Sequence, residues 1–102
     1  MERETLDVDI LVVGAGLLGT SLGLALRHRG VLVWLADSNP RAQALAADLG
    51  AGVAGLPPET PHVVVVAVPP AATVSVASHY LRLFPDAIVS DIASVKTSLQ
   101  LE

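Results

Sequence analysis

Residues 14–19 read Gly-Ala-Gly-Leu-Leu-Gly, and no other stretch limits the fold of this chain so tightly. They follow a short β-branched run, VDILVV at 8–13, and open a segment where Leu18, Leu22, Ala25, Leu26 and Arg29 fall at helical spacing before Gly30. A buried strand, a tight turn and a helix in immediate succession form the first half of a βαβ unit. In that context G-x-G-x-x-G carries a mechanism. Gly14 permits the turn, Gly16 lets a pyrophosphate approach bare backbone, and Gly19 lets the helix lie close to the strand. A plain β–α connection without any ligand needs glycine too.

Asp37 weighs against that plainer reading. It ends a second apolar run, VLVWLA at 31–36, and lies 23 residues after Gly14. An acidic side chain there can accept hydrogen bonds from the adenosine ribose hydroxyls. Glycines and carboxylate together predict dinucleotide binding, with Leu17 and Leu18 at the helix start whose N–H groups face the phosphates. The expected cofactor is NAD, with NADP second, because a fixed negative charge repels a 2′-phosphate. Ser38 joins the candidate set. Arg41 is open to two readings, stacking on adenine or meeting a 2′-phosphate, or a solvated first-turn residue.

The rest of the chain keeps alternating. Asp37-Ser38-Asn39-Pro40 is a turn and helix start, and a helix follows over 40–49. Glycines 50, 52 and 55 surround a weak strand at 51–54, and a proline-rich loop fills 56–61. VVVVAV at 63–68 is a buried strand stopped by Pro69-Pro70. A helix over 71–83 shows a face of Thr73, Val74, Ala77, Tyr80 and Leu81, and AIVSD begins a further strand at 87. A last helix is expected over 94–101. This order predicts an α/β fold, a Rossmann-like doubly wound parallel sheet in three layers, ending after its fifth strand. Ligands of such sheets sit beyond the carboxyl ends of the strands, so Val68, Pro69 and residues after Ser90 should line the nicotinamide side. From local sequence, Val68-Pro69-Pro70 is equally a simple strand stop.

Composition bounds the classes that remain. With 102 residues there is one core: a leader at 1–7, a dinucleotide-binding domain at 8–100, and Leu101-Glu102, which resembles an affinity-tag junction. Hydrophobic residues make up 52% and aromatic residues 3%, which suits a parallel sheet under Ala- and Leu-rich helices. The net charge of −4, with scattered Lys and Arg, argues against nucleic acid as a partner. The chain has no cysteine, hence no disulfide, thiolate metal site or thiol nucleophile, and the cytoplasm is the expected compartment. The acidic start is unlike a secretory signal, and the apolar run at 10–19 is about half of what crosses a bilayer, so no membrane segment is expected. His28, His62 and His79 are expected to face solvent, and their spacings make no metal site.

GAGLLGTSLGLALRHRG, Asp37, AVPP and SDIASVKTSL together resemble the amino-terminal domain of the prephenate/arogenate dehydrogenase family, over nearly all of the chain from Val8. The glycine motif is shared with many reductases, whereas V-S-D-x-x-S-V-K is more selective. The resemblance implies oxidative decarboxylation in tyrosine biosynthesis, with the substrate's 4-hydroxyl carbon losing hydride to the nicotinamide. It places Ser94 near a catalytic histidine and the substrate ring hydroxyl, as a hydrogen-bonding partner in proton removal. On local sequence alone Ser94 caps the final helix. The family's histidine lies beyond the S-V-K helix, and none of the three histidines here matches it. The resemblance further implies a helical second domain that binds prephenate or arogenate and dimerises, so this chain alone would bind cofactor without turning over. The alternatives are another reductase of the 6-phosphogluconate dehydrogenase or pyrroline-carboxylate reductase type, and a non-enzymatic NAD-binding regulatory module.

Overall fold

A computed structural model describes residues 8–92. The strands β1 (Asp9–Val13), β2 (Leu32–Ala36), β3 (Val53–Ala54), β4 (Val63–Val66) and β5 (Ile88–Asp91) form one parallel sheet in the order β3-β2-β1-β4-β5. The helices α1 (Leu17–His28), α2 (Pro40–Asp48) and α3 (Pro70–Leu83) fill the crossovers after β1, β2 and β4. This is the Rossmann-like doubly wound architecture that the alternation predicts. Because β2 lies on one side of β1 and β4 on the other, the direction in which strands are added to the sheet reverses at β1. A crevice opens there at the carboxyl ends of the strands.

Both faces of the central strands are covered, which is why they read as unbroken apolar runs. Val12, Val33 and Leu35 pack with Leu22 and Leu26 of α1 and Ala46 of α2. On the opposite face Leu11, Val13, Val64 and Val66 pack with Val76, Ala77 and Tyr80 of α3. Two helix ends share one device. In α1 the N–H of Gly30 bonds the Arg27 carbonyl and that of Val31 bonds Leu26, while in α2 Gly50 bonds Ala47 and Ala51 bonds Ala46. Each is a Schellman closure with a glycine at positive φ, and each turns the chain directly into the next strand region.

Three elements differ from their expected form. The inward stripe of α1 is Gly19, Leu22, Gly23 and Leu26, while Leu18 and Ala25 are exposed, because the helix meets the sheet through its glycines. The third strand is only Val53–Ala54, since Ala51 is still engaged in closing α2. The fourth ends at Val66: Ala67 makes a last bond to the Val13 carbonyl at 2.7 Å, and Val68 leaves the sheet on the way to Pro69. The helix expected over 94–101 lies outside the described residues.

Candidate functional site

The glycine turn is shaped by close backbone approach. Gly14 has φ +107°, and a Cβ there would overlap the Ala67 carbonyl, so the carboxyl ends of β1 and β4 come together only because that atom is missing. A Cβ on Gly19 would overlap the Gly14 carbonyl, which is how the first turn of α1 is seated on the turn. Gly16 differs, for nothing lies within 4 Å of where its Cβ would stand. It is the N-cap of α1, with no side chain capping the helix and no acidic residue in the first turn. The N–H groups opening α1 therefore have no side-chain acceptor, beside a space that a side chain at Gly16 would occupy.

Asp37 closes this turn from the side of β2. Its Oδ2 accepts the Ala15 N–H at 2.6 Å, its Oδ1 accepts the Asn39 N–H at 2.7 Å, and its own N–H donates to Gln43 Oε1 at 2.9 Å. Asn39 Oδ1 in turn accepts the N–H groups of Arg41 and Ala42 and so caps α2. The carboxylate is thus a structural fastener between the glycine turn and the start of α2. Each oxygen keeps a second lone-pair direction for an outside donor.

A cavity of about 650 Å³ brings Gly14, Gly16, Asp37, Ser38, Val68 and Pro69 together. That volume lies within the range of small-molecule sites. Leu17, Leu18, Gly19 and Arg41 do not line it. Leu17 and Leu18 are exposed on the opening turn of α1, Gly19 is buried beneath that turn, and Arg41 is exposed at the start of α2. Ser94 lies outside the described residues. The sequence reading missed the opposite wall, where Ala72, Ser75, Val76, His79 and Tyr80 of α3 face Gln43. Those five recur at the helical spacings i, i+3, i+4, i+7 and i+8, a signal present in the sequence. Of the face expected for this helix, Tyr80 belongs to the wall and Ala77 packs on the sheet, whereas Val74 and Leu81 are 77% and 51% exposed.

The histidines separate. His28 ends α1, and His79, though exposed, lines the cavity and sets its ring edge-on to Tyr80 at 4.9 Å. His62 does not stand free in its loop: its Nδ1 lies 2.6 Å from Asp9 Oδ1 at the opposite end of the sheet from the cavity. Tyr80 also stacks on Phe84, and burial pushes its phenol above the ordinary value, so it stays a neutral hydroxyl donor at neutral pH. Among the described residues no three His, Asp or Glu side chains are grouped to hold a metal ion, and no helix is long and apolar enough to cross a membrane.

Residues 22–102 match the family model described as prephenate dehydrogenase, nucleotide-binding domain. The probable prephenate dehydrogenase NovF of Streptomyces niveus is 46% identical over 93 residues, which are 90% of this chain and 25% of that protein. The chain thus spans about a quarter of the length of this curated relative. Among solved structures, prephenate dehydrogenase from A. aeolicus, in complex with hydroxyphenyl propionate and NAD+, superposes with a TM-score of 0.73 at 25% identity, over 87% of this chain and 34% of that one. Synechocystis arogenate dehydrogenase gives 0.73 at 26% identity, over 81% and 32%. GenD2 from gentamicin A biosynthesis, in complex with NAD, matches at 21% identity with a TM-score of 0.62 over 80% and 27%, a likeness of fold.

Proposed function

Since this chain belongs to the prephenate dehydrogenase family through its nucleotide-binding domain, we propose that it holds NAD as the cofactor-binding part of a prephenate or arogenate dehydrogenase-like oxidoreductase of tyrosine biosynthesis. The observation that carries this reading is one cavity where an uncapped helix start, the open space at Gly16 and the Asp37 carboxylate meet. A dinucleotide fits these residues chemically: its pyrophosphate needs backbone N–H donors and room, and its ribose needs an acceptor.

Each residue then has a defined task. The N–H groups of Gly16, Leu17 and Leu18 bind the pyrophosphate, while the Ala15 N–H is already taken by Asp37 and serves the turn. Gly14 and Gly19 shape the turn by lacking a Cβ. Asp37 offers its remaining lone pairs to the ribose hydroxyls, and its charge disfavours a 2′-phosphate. Ser38, in the loop before α2, borders the ribose, Arg41 on the first turn of α2 reaches toward the adenine from outside the cavity wall, and Val68 and Pro69 give a rigid apolar wall. Bound there, NAD supplies the acceptor for the hydride that leaves the substrate's hydroxyl-bearing ring carbon as carbon dioxide departs and the ring becomes aromatic. Ser94 hydrogen-bonds in the removal of the hydroxyl proton and is not a nucleophile. The general base and the substrate-binding residues belong to the remainder of a longer cytoplasmic protein, through which it forms homodimers, and this chain alone turns nothing over.

Calorimetric titration of the chain with NADH and NADPH tests the cofactor reading, and tighter NADPH binding contradicts it. In the longer protein, NAD reduction driven by prephenate or arogenate tests the reaction. Binding of NAD with neither substrate reducing it points to a regulatory module instead. Ser94→Ala should slow that enzyme while leaving cofactor affinity in this chain unchanged, and a lost affinity would reassign Ser94 to cofactor binding or folding.

A further inference from the structure

Asp37 is the first residue past the β1–β2 ladder, which ends at the pair Val13 and Ala36. Its N–H therefore needs a partner from outside the sheet. Gln43, on the second turn of α2, supplies it through Oε1 at 2.9 Å. Because a backbone N–H can bond only an acceptor, this contact also fixes which way the Gln43 amide is turned. Asn39 is not available for the same task, since its side-chain oxygen is engaged with the N–H groups of Arg41 and Ala42. Gln43 lies in the cavity wall next to Asp37 and Ser38.

We propose that Gln43 is the positioning residue for cofactor choice: by holding the Asp37 main chain it keeps the carboxylate at the one place where the charge can discriminate between ribose hydroxyl and 2′-phosphate. This rests on the NAD reading above and assigns that discrimination to a residue outside the glycine turn and its acid. The carboxylate bonds to Ala15 and Asn39 restrain the side chain, and the Gln43 bond restrains the peptide that carries it. Charge discrimination falls off with distance and with solvent between the charges, so a carboxylate free to swing loses selectivity before it loses all affinity.

The test is titration of NADH and NADPH into the wild-type chain, Gln43→Leu and Gln43→Glu. Leucine keeps the side-chain bulk and removes the acceptor, whereas glutamate restores the acceptor but adds a charge that itself repels a 2′-phosphate, so the fall in Gln43→Leu is the deciding result. The ratio of NADH to NADPH affinity should fall about three- to tenfold in Gln43→Leu, as expected for one lost hydrogen bond. It should return to the wild-type value or above in Gln43→Glu. Should leucine disturb the turn, Gln43→Ala provides the same comparison. An unchanged ratio, or equal weakening of both cofactors, makes Gln43 merely structural and overturns the proposal. A wild-type chain that binds neither cofactor overturns the NAD reading itself and this inference with it. A wild type that prefers NADH beside an indifferent Gln43→Leu overturns the inference alone.

Discussion

The two walls of the cavity are built by different means. On the α1 side the surface is backbone: Gly14 and Gly19 let main chain touch main chain, and Gly16 leaves open space before an uncapped helix start. The buried residues of that helix are themselves glycines, Gly19 and Gly23. On the α3 side the surface is side chain. That helix has no fully buried residue and rests on the sheet through half-buried Val76, Ala77 and Tyr80. A backbone wall tolerates almost no substitution where contacts are closest, and a side-chain wall tolerates many.

Substitutions on the two walls should therefore differ in cost. The largest effect is expected from Gly19→Ala, whose Cβ meets a carbonyl that cannot rotate away. It should cost about 3 kcal/mol and lower Tm by roughly 15 °C. A change of only a few degrees would mean that α1 can lift off the turn, and the contrast between the walls would weaken. Next comes Asp37→Ala, which strands the N–H groups of Ala15 and Asn39. Urea unfolding should show a loss of about 2 kcal/mol, since both bonds are made to a charged acceptor. A neutral result would leave Asp37 with a ligand role only. On the other wall Val76→Ala should cost only about 1 kcal/mol, the value of a half-buried pair of methyl groups. A cost matching that of Gly19→Ala would erase the distinction.

The smallest effect concerns pH. Burial raises the Tyr80 pKa above 10, so the fold favours the neutral phenol. The stability it contributes is fully present below about pH 10 and is lost as the pH climbs through the raised value. Tyr80→Phe should change unfolding at neutral pH by less than about 0.5 kcal/mol and flatten the alkaline decline. An equally steep decline in the phenylalanine variant would assign it to another group.

The same contrast explains what could be read from the sequence. Backbone geometry leaves a mark in residue type, so Gly14, Gly16, Gly19 and the acid at the end of β2 announced the turn, the helix and the crevice. The parallel, doubly wound class follows from the alternation with helices, whereas the order β3-β2-β1-β4-β5 is visible only in the folded chain. Side-chain walls leave a fainter mark, a helical spacing that apolar and polar residues share. A glutamine on the second turn of a helix is ordinary until its Oε1 is seen on the Asp37 N–H. The α3 stripe holds at Ala77 and Tyr80, which pack on the sheet, and fails at Val74 and Leu81, which are apolar yet exposed, so hydrophobicity runs round the helix and blurs its inner face. Likewise the unbroken apolar run at 63–68 conceals the end of β4, for Ala67 makes its last bond to β1 and Val68, as apolar as the strand, leaves the sheet.

Gly16 tests the central claim most directly, because there the backbone wall has room to spare. With nothing within 4 Å of its Cβ position, Gly16→Ala should keep the wild-type Tm, yet fill the space assigned to the pyrophosphate. Titrating NADH into the wild-type chain and this variant should give binding to the first, tighter than for NADPH, and an affinity lowered by about tenfold or more in the second, the equivalent of 1.4 kcal/mol. Equal NADH affinity in the two proteins, at equal Tm, would contradict it.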